Sequence, residues 1–217
     1  MPDRPAAPLS ATARAVAALI ATVALLSLGV QLWLFLSASW GGIGPLAASV
    51  QFFSYFTVLS NLLVAAVTLS AARPRDPARW RDGEVVRGAA ALYITVTGLV
   101  YATVLAPILH PQGLHWWTDV GMHYVVPPLY LAWWLLAVPH RRLRWGDLRY
   151  WVLFPIAYLL WTFARGAVVH QYPYPFVDVG LHGWAVVLRN ALAMTALFLM
   201  VGGALVAVDR RLGPAKR

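Results

Sequence analysis

The chain has 217 residues, 60% of them hydrophobic and 12% charged, with a formal net charge of +9 and no cysteine. Soluble domains carry about 25% charged residues, so this composition excludes an ordinary soluble domain and points to an integral membrane protein. Disulfides and thiolate metal ligands are excluded outright, and the positive charge lies in short loops instead of one patch, which speaks against nucleic-acid binding.

Six apolar runs follow in order, about Arg14–Leu36, Val50–Ala72, Val86–Leu109, Thr118–Val138, Tyr150–Val169 and Trp184–Val208. Each has the length a membrane-spanning helix needs. Their length and their lack of polar–apolar alternation exclude barrel strands. The expected fold is all-α: a polytopic six-helix transmembrane bundle forming one domain over residues 1–217. The first thirteen residues are polar and Pro/Ala-rich and read as frayed. The first run resembles a signal peptide in its flanks (Arg4 and Arg14 before, Ser37-Ala-Ser39 after), but it is too long for a typical apolar signal core and is read as an anchor. Trp33 and Trp40 suit the far interface. Pro127-Pro128 is expected to kink the fourth run.

Arginine and lysine fall at the N-terminus (Arg4, Arg14), in the second loop (from Arg73 to Arg87), in the fourth loop (Arg141, Arg142, Arg144, Arg149) and at the C-terminus (Arg210, Arg211, Lys216, Arg217). Loops one, three and five contain none. The positive-inside rule then puts both termini in the cytoplasm, N-in and C-in. Lysine occurs only at Lys216 amid many arginines and alanines. That bias suggests a GC-rich genome and a bacterial cytoplasmic membrane.

This topology gathers polar groups at one level. Thr57 lies about seven residues into the second run, roughly 10 Å deep, and His123 about five residues into the fourth, roughly 8 Å deep. Both depths are measured from the outer side. Asp119 shares a helix face with His123 at the i,i+4 spacing. Arg165 and Arg189 sit near the outer ends of the fifth and sixth runs, with His110, His115, His170, Asp178 and His182 in or beside the outer loops. Ionisable groups at such depth are expensive and read by default as functional. A one-sided cluster favours a polar pocket over scattered snorkelling residues.

Three short stretches carry a family resemblance: Tyr55-Phe-Thr57, Gly121-Met-His123 with a proline following, and Tyr158-Leu-Leu-Trp161 leading to Tyr174-Pro-Phe176 before Asp178. They resemble the FAR-17a/AIG1-like family of androgen-induced-gene membrane proteins and their bacterial relatives, often labelled Pr6Pr. The order and spacing of the motifs extend the resemblance over most of the chain. It implies an intramembrane hydrolase of fatty acid esters of hydroxy fatty acids, with Thr57 as the catalytic threonine and His123 as the histidine. Asp119 stands where animal members have asparagine. Thr162-Phe-Ala-Arg-Gly stands where they have a histidine-containing segment.

The chemistry is consistent on its own terms. A threonine hydroxyl needs a base to become a nucleophile, and a neutral histidine within hydrogen-bond reach is the usual one. Asn61, one turn beyond Thr57, is the first candidate for an oxyanion donor, with Ser60, Tyr124 and Arg165 behind it. Asp119 is a candidate to orient His123. Plainer readings stand beside these. In these Thr57 bonds only its own i−4 carbonyl, His123 only bridges helices, Ser60 and Asn61 only join helices, and Arg165 and Arg189 pair with Asp178, Asp119 or headgroups or snorkel. The loop Tyr172-Pro-Tyr-Pro-Phe176 reads as an interfacial aromatic segment or as a lid. His110, His115, His123 and Asp119 lack the i,i+4 histidine pair of a helical zinc site, so neither metal nor cofactor is expected. The leading reading is a lipid-ester hydrolase. The alternative is a non-enzymatic lipid or small-molecule binding or transport protein. Oligomeric state is not legible.

Overall fold

The computed structural model describes residues 9–39, 42–73 and 83–212. Trp40, most of the second loop, the first eight residues with Arg4, and the basic tail from 213 to 217 lie outside the described residues. Among the described residues the fold is all-helical: α1 Ala11–Ala38, α2 Pro45–Phe53, α3 Phe56–Ala72, α4 Gly83–Leu105, α5 Leu114–Ala137, α6 Trp145–Val169 and α7 Val179–Leu212. Five of these, α1 and α4 to α7, are long and apolar enough to cross a membrane. The pair α2 and α3 passes the same test only when joined across a 75° bend.

That bend corrects the second expected run, which is not one straight helix over Val50–Ala72. The first helix also begins earlier than expected, at Ala11, because the Ser10 hydroxyl accepts the Ala13 amide at 3.1 Å as an N-cap.

The bundle is organised around α4. Ala89, Ala90, Ala91, Leu92, Ile94 and Val96 lie on all sides of it and are almost completely buried, and it packs against α3, α5 and α7, while α1 covers α3 and α5. Small residues permit this closeness: a Cβ on Gly88 would strike the Trp151 ring, and one on Gly98 would meet Pro127. The Trp151 indole N–H donates to the Val85 carbonyl at 3.1 Å, and Tyr93 donates to the Trp151 carbonyl at 2.7 Å, which fixes the start of α6 against α4.

The end of the bundle where α5 passes to α6 is held by one carboxylate. Asp209 of α7 is 2% exposed. It accepts the Arg142 and Leu143 amides at 2.9 and 2.8 Å and faces His140 Nδ1 at 3.2 Å. Asp209→Ala strips all three donors of their acceptor, and each orphaned buried group costs about 1–3 kcal/mol. The expected outcome is a clear fall in the melting temperature of the detergent-solubilised protein, with the distant Thr57 environment unchanged.

Candidate functional site

Thr57 owes its position to the break before it. Ser54 and Tyr55 end α2 with tight i→i−3 bonds from their amides to the Gln51 and Phe52 carbonyls, at 3.1 and 3.2 Å. Tyr55 then turns to an extended conformation (φ −88°, ψ 130°) before α3 starts at Phe56. The groups freed by the break are taken up by α6: Tyr158 donates to the Ser54 carbonyl and the Trp161 indole to the Ser54 hydroxyl, each at 3.0 Å. A buried break needs such partners. Two residues of the Tyr158-Leu-Leu-Trp161 stretch are thus the struts of the bend.

The break also releases the Thr57 hydroxyl. Thr22, Thr68, Thr97, Thr103 and Thr195 all donate to their own i−4 carbonyls, the ordinary fate of a helical threonine. Thr57 is the second residue of α3, and its i−4 neighbour, Phe53, lies across the bend in α2. Its hydroxyl instead meets His123 Nε2 at 3.2 Å and the Tyr174 hydroxyl at 3.2 Å. Its amide, an unpaired donor of the first helical turn, donates to the same Tyr174 oxygen at 3.1 Å.

His123 sits in a π-helical turn, Gly121–Val125, within α5. Tyr101 opens a second one, Tyr101–Leu105, at the end of α4. In both, the residue after the turn donates five residues back: Val126 to Gly121 and Ala106 to Tyr101. A proline follows immediately, Pro127 or Pro107. The π turn therefore absorbs the missing proline N–H, and the helix runs on past Pro127 to Ala137. Skipped by Val126 and followed by a residue with no N–H, the Met122 carbonyl needs another donor. Asn61 supplies one at 3.4 Å, and also donates to the Thr57 carbonyl at 2.9 Å. The Asn61 amide is committed to joining α3 and α5 and does not line a cavity.

Hydrogen-bond directions around Thr57 follow from the two ends of the network. At one end, Tyr101 donates its hydroxyl proton to the Asp119 carboxylate. His123 Nδ1 lies 3.1 Å from Asp119 Oδ1 and 3.0 Å from the Asp119 carbonyl. Both are acceptors, so Nδ1 carries the proton, and in a neutral ring Nε2 is left with its lone pair facing Thr57. The Thr57 proton therefore points at His123 Nε2. At the other end the Thr57 amide can only donate, so the Tyr174 oxygen accepts from it, and with the Thr57 proton directed at Nε2 the contact to Oγ1 takes its proton from the phenol. The orientation runs from Thr57 to His123 to Asp119, with Tyr101 behind. The Tyr101 ring stacks on the imidazole at 3.8 Å between centroids and 15° between planes, which fixes the ring plane.

Two cavities meet at Thr57. The larger, about 470 Å³, is partly polar and includes Gln31, Gln112, His115, Asp119 and His123 in its wall. The smaller, about 100 Å³, is apolar and runs between α4, α6 and α7 beside Val100, Ile156, Leu159, Met194 and Phe198. Thr57, Leu105 and Tyr174 line both, so the hydroxyl and the phenol form part of the wall between them. Transfer out of water pushes the Tyr174 phenol up to about 12, against a smaller opposite effect of its bonds to Thr57. It keeps its proton at neutral pH.

The remaining residues singled out in the sequence lie elsewhere. Ser60 is fully buried and bonded to Thr97 at 2.9 Å and to the Thr57 carbonyl at 3.1 Å. Tyr124 sits edge-on to Tyr101 and is half exposed. Arg165 donates to the Gln171 carbonyl at 3.1 Å, and Asp178 Oδ1 accepts the Leu181 amide at 3.0 Å. Arg189 is exposed on α7. Ser60, Tyr124, Arg165, Asp178 and Arg189 line neither cavity. Sequence reasoning missed Tyr101 altogether, although its place toward the end of the third run that precedes the fourth was a signal of a depth matching that of His123. Tyr174 was visible only as part of a loop.

Comparison of the chain with protein-family models, with curated proteins and with solved structures finds no match.

Proposed function

We propose that this protein is a membrane-embedded hydrolase of carboxylic esters of lipids, with Thr57 as nucleophile, His123 as base and Asp119 as the residue that positions the imidazole. The observation that carries the reading is the directed chain from the Thr57 hydroxyl through His123 to Asp119, set where an apolar cavity meets a polar one. This is the reaction that the resemblance to the FAR-17a/AIG1-like proteins implies. We further take the arginine distribution to mean six spans, the bent pair counting as one, with both termini in the cytoplasm of a bacterial cell. The site then lies in the outer half of the bilayer.

The reaction balances with water alone. His123 Nε2 takes the Thr57 proton as Oγ1 attacks the ester carbonyl, and a tetrahedral intermediate forms. Its collapse breaks the bond to the alkoxy group, which leaves as the alcohol with the proton from His123. Water from the polar cavity then attacks the threonyl ester, again giving a proton to His123. The carboxylic acid leaves, and the proton returns to Thr57. A long acyl chain enters sideways between α6 and α7, where Ile156 and Thr195 border the apolar cavity.

The alternative, a non-enzymatic lipid or small-molecule binder or transporter, would use the same pocket with Arg165 and Arg189 as counter-charges; neither side chain lines either of the two cavities described above. The discriminating test is covalent. A fluorophosphonate probe is expected to label the wild-type protein in membranes, and Thr57→Ala to abolish the labelling while the protein still accumulates. Wild-type protein that stays unlabelled and turns over no ester would overturn the hydrolase reading.

A further inference from the structure

We propose that Tyr174 is a catalytic residue of this site: its phenol O–H, together with the Thr57 amide, forms the oxyanion hole. The proposal rests on the hydrolase reading and adds to it two stabilising donors. The donor first expected for that task, Asn61, spends its amide on two main-chain carbonyls.

Geometry singles out Tyr174. Its oxygen stands 3.2 Å from the nucleophile and 3.1 Å from the nucleophile's own amide. That is the space a bound ester must give its carbonyl oxygen, beside the attacking atom and in front of an N–H at a helix start. An entering carbonyl displaces the phenol oxygen by roughly one hydrogen-bond contact and takes over the Thr57 amide. The phenol proton, which now points at Thr57 Oγ1, turns to the new oxygen. Two donors then face the developing negative charge, and the positive end of the α3 dipole adds to them. No bond to Tyr174 forms or breaks, and its proton stays on the phenol.

The loop holding Tyr174 is braced on both sides, so the displacement is confined to the ring and its hydroxyl. On one side Tyr172 fills the notch left by Gly166 of α6, where any Cβ would strike its ring. On the other, the Asn190 amide of α7 donates to the Phe176 carbonyl at 2.8 Å. The Tyr174 ring stacks on Phe176 with centroids 5.4 Å apart and meets Tyr55 edge-on at 5.7 Å. These contacts belong to the ring and survive loss of the hydroxyl. A ring that merely plugged the site would gain nothing from its O–H.

The test uses the full-length protein in nanodiscs, a fluorogenic long-chain acyl ester, and Tyr174→Phe. The expected result is a kcat lower by about 10²–10³, the usual loss for one oxyanion donor, with KM little changed and a melting temperature lowered by no more than the loss of the Thr57 amide's acceptor brings. A second protein carries 2,3,5-trifluorotyrosine at position 174, with a more acidic phenol on a nearly unchanged ring. The alkaline limb of its kcat profile should move to lower pH. Wild-type kcat in Tyr174→Phe, or an alkaline limb unmoved by fluorination, overturns the proposal while leaving the hydrolase reading intact. Absence of turnover and of fluorophosphonate labelling in the wild type overturns both.

Discussion

His123→Ala should reduce kcat for ester hydrolysis by about 10⁶-fold, and Thr57→Ala by a similar factor, as when the nucleophile or base of a hydrolytic triad is removed. At 1.36 kcal/mol per tenfold change, that is about 8 kcal/mol of transition-state stabilisation. The two losses should not add. With the base gone, Thr57 cannot lose its proton, and with the hydroxyl gone, His123 has nothing to activate. A double variant is therefore expected to match either single one in steady-state turnover of a fluorogenic ester. A histidine that only bridges α3 and α5 would behave differently: His123→Ala would lower the melting temperature and leave residual kcat near that of the wild type. The 3.2 Å contact between Oγ1 and Nε2 makes the first outcome the expected one.

Asp119→Asn is the second large effect, about 10⁴-fold in kcat, the loss seen when an analogous triad aspartate is replaced by its amide. The physical reason is the direction of bonding at Nδ1. The carboxylate offers Oδ1 to the ring at 3.1 Å and its other oxygen to Tyr101. An asparagine must present its NH₂ to one of them. If it faces the ring, Nδ1 must accept, the proton moves to Nε2, and the nitrogen opposite Thr57 can no longer take a proton. If it faces Tyr101, that hydroxyl loses its acceptor and the stacked pair of rings is released. The Asp119 main-chain carbonyl, 3.0 Å from Nδ1, favours the productive tautomer and keeps the loss below that of His123→Ala. Measured kcat equal to the wild type would assign Asp119 a packing role only.

Much of this was readable in the chain. Apolar run lengths gave the helices, and the charge-free loops gave matching depths for Thr57 and His123, which do touch. The i,i+4 spacing brought Asp119 to the imidazole. The bend at Tyr55 was not readable, because Ser54 and Tyr55 interrupt an apolar run without a proline or glycine, and helices tolerate both residues. What breaks the helix there is tertiary: Tyr158 and Trp161 reach across from α6 to satisfy it. The role of Asn61 was hidden for a related reason. Its partner, the Met122 carbonyl, is open only because a π turn and Pro127 both pass it by, and a proline in sequence says that a bond is missing without saying which group will replace it. Tyr174 is separated from Thr57 by 117 positions, and tertiary contacts bring it there, among them Tyr172 against Gly166 and Asn190 on the Phe176 carbonyl.

The wall between the two cavities has a consequence for the fate of the products. In the proposed hydrolysis, a cut made at Thr57 would leave the acyl fragment at the apolar cavity and the alcohol at the polar one. Each half can depart by partitioning into the phase that dissolves it best, without passing the other. Mass action in two separate media would then draw the hydrolysis forward and oppose re-esterification, so the bilayer would act as a sink as well as a solvent.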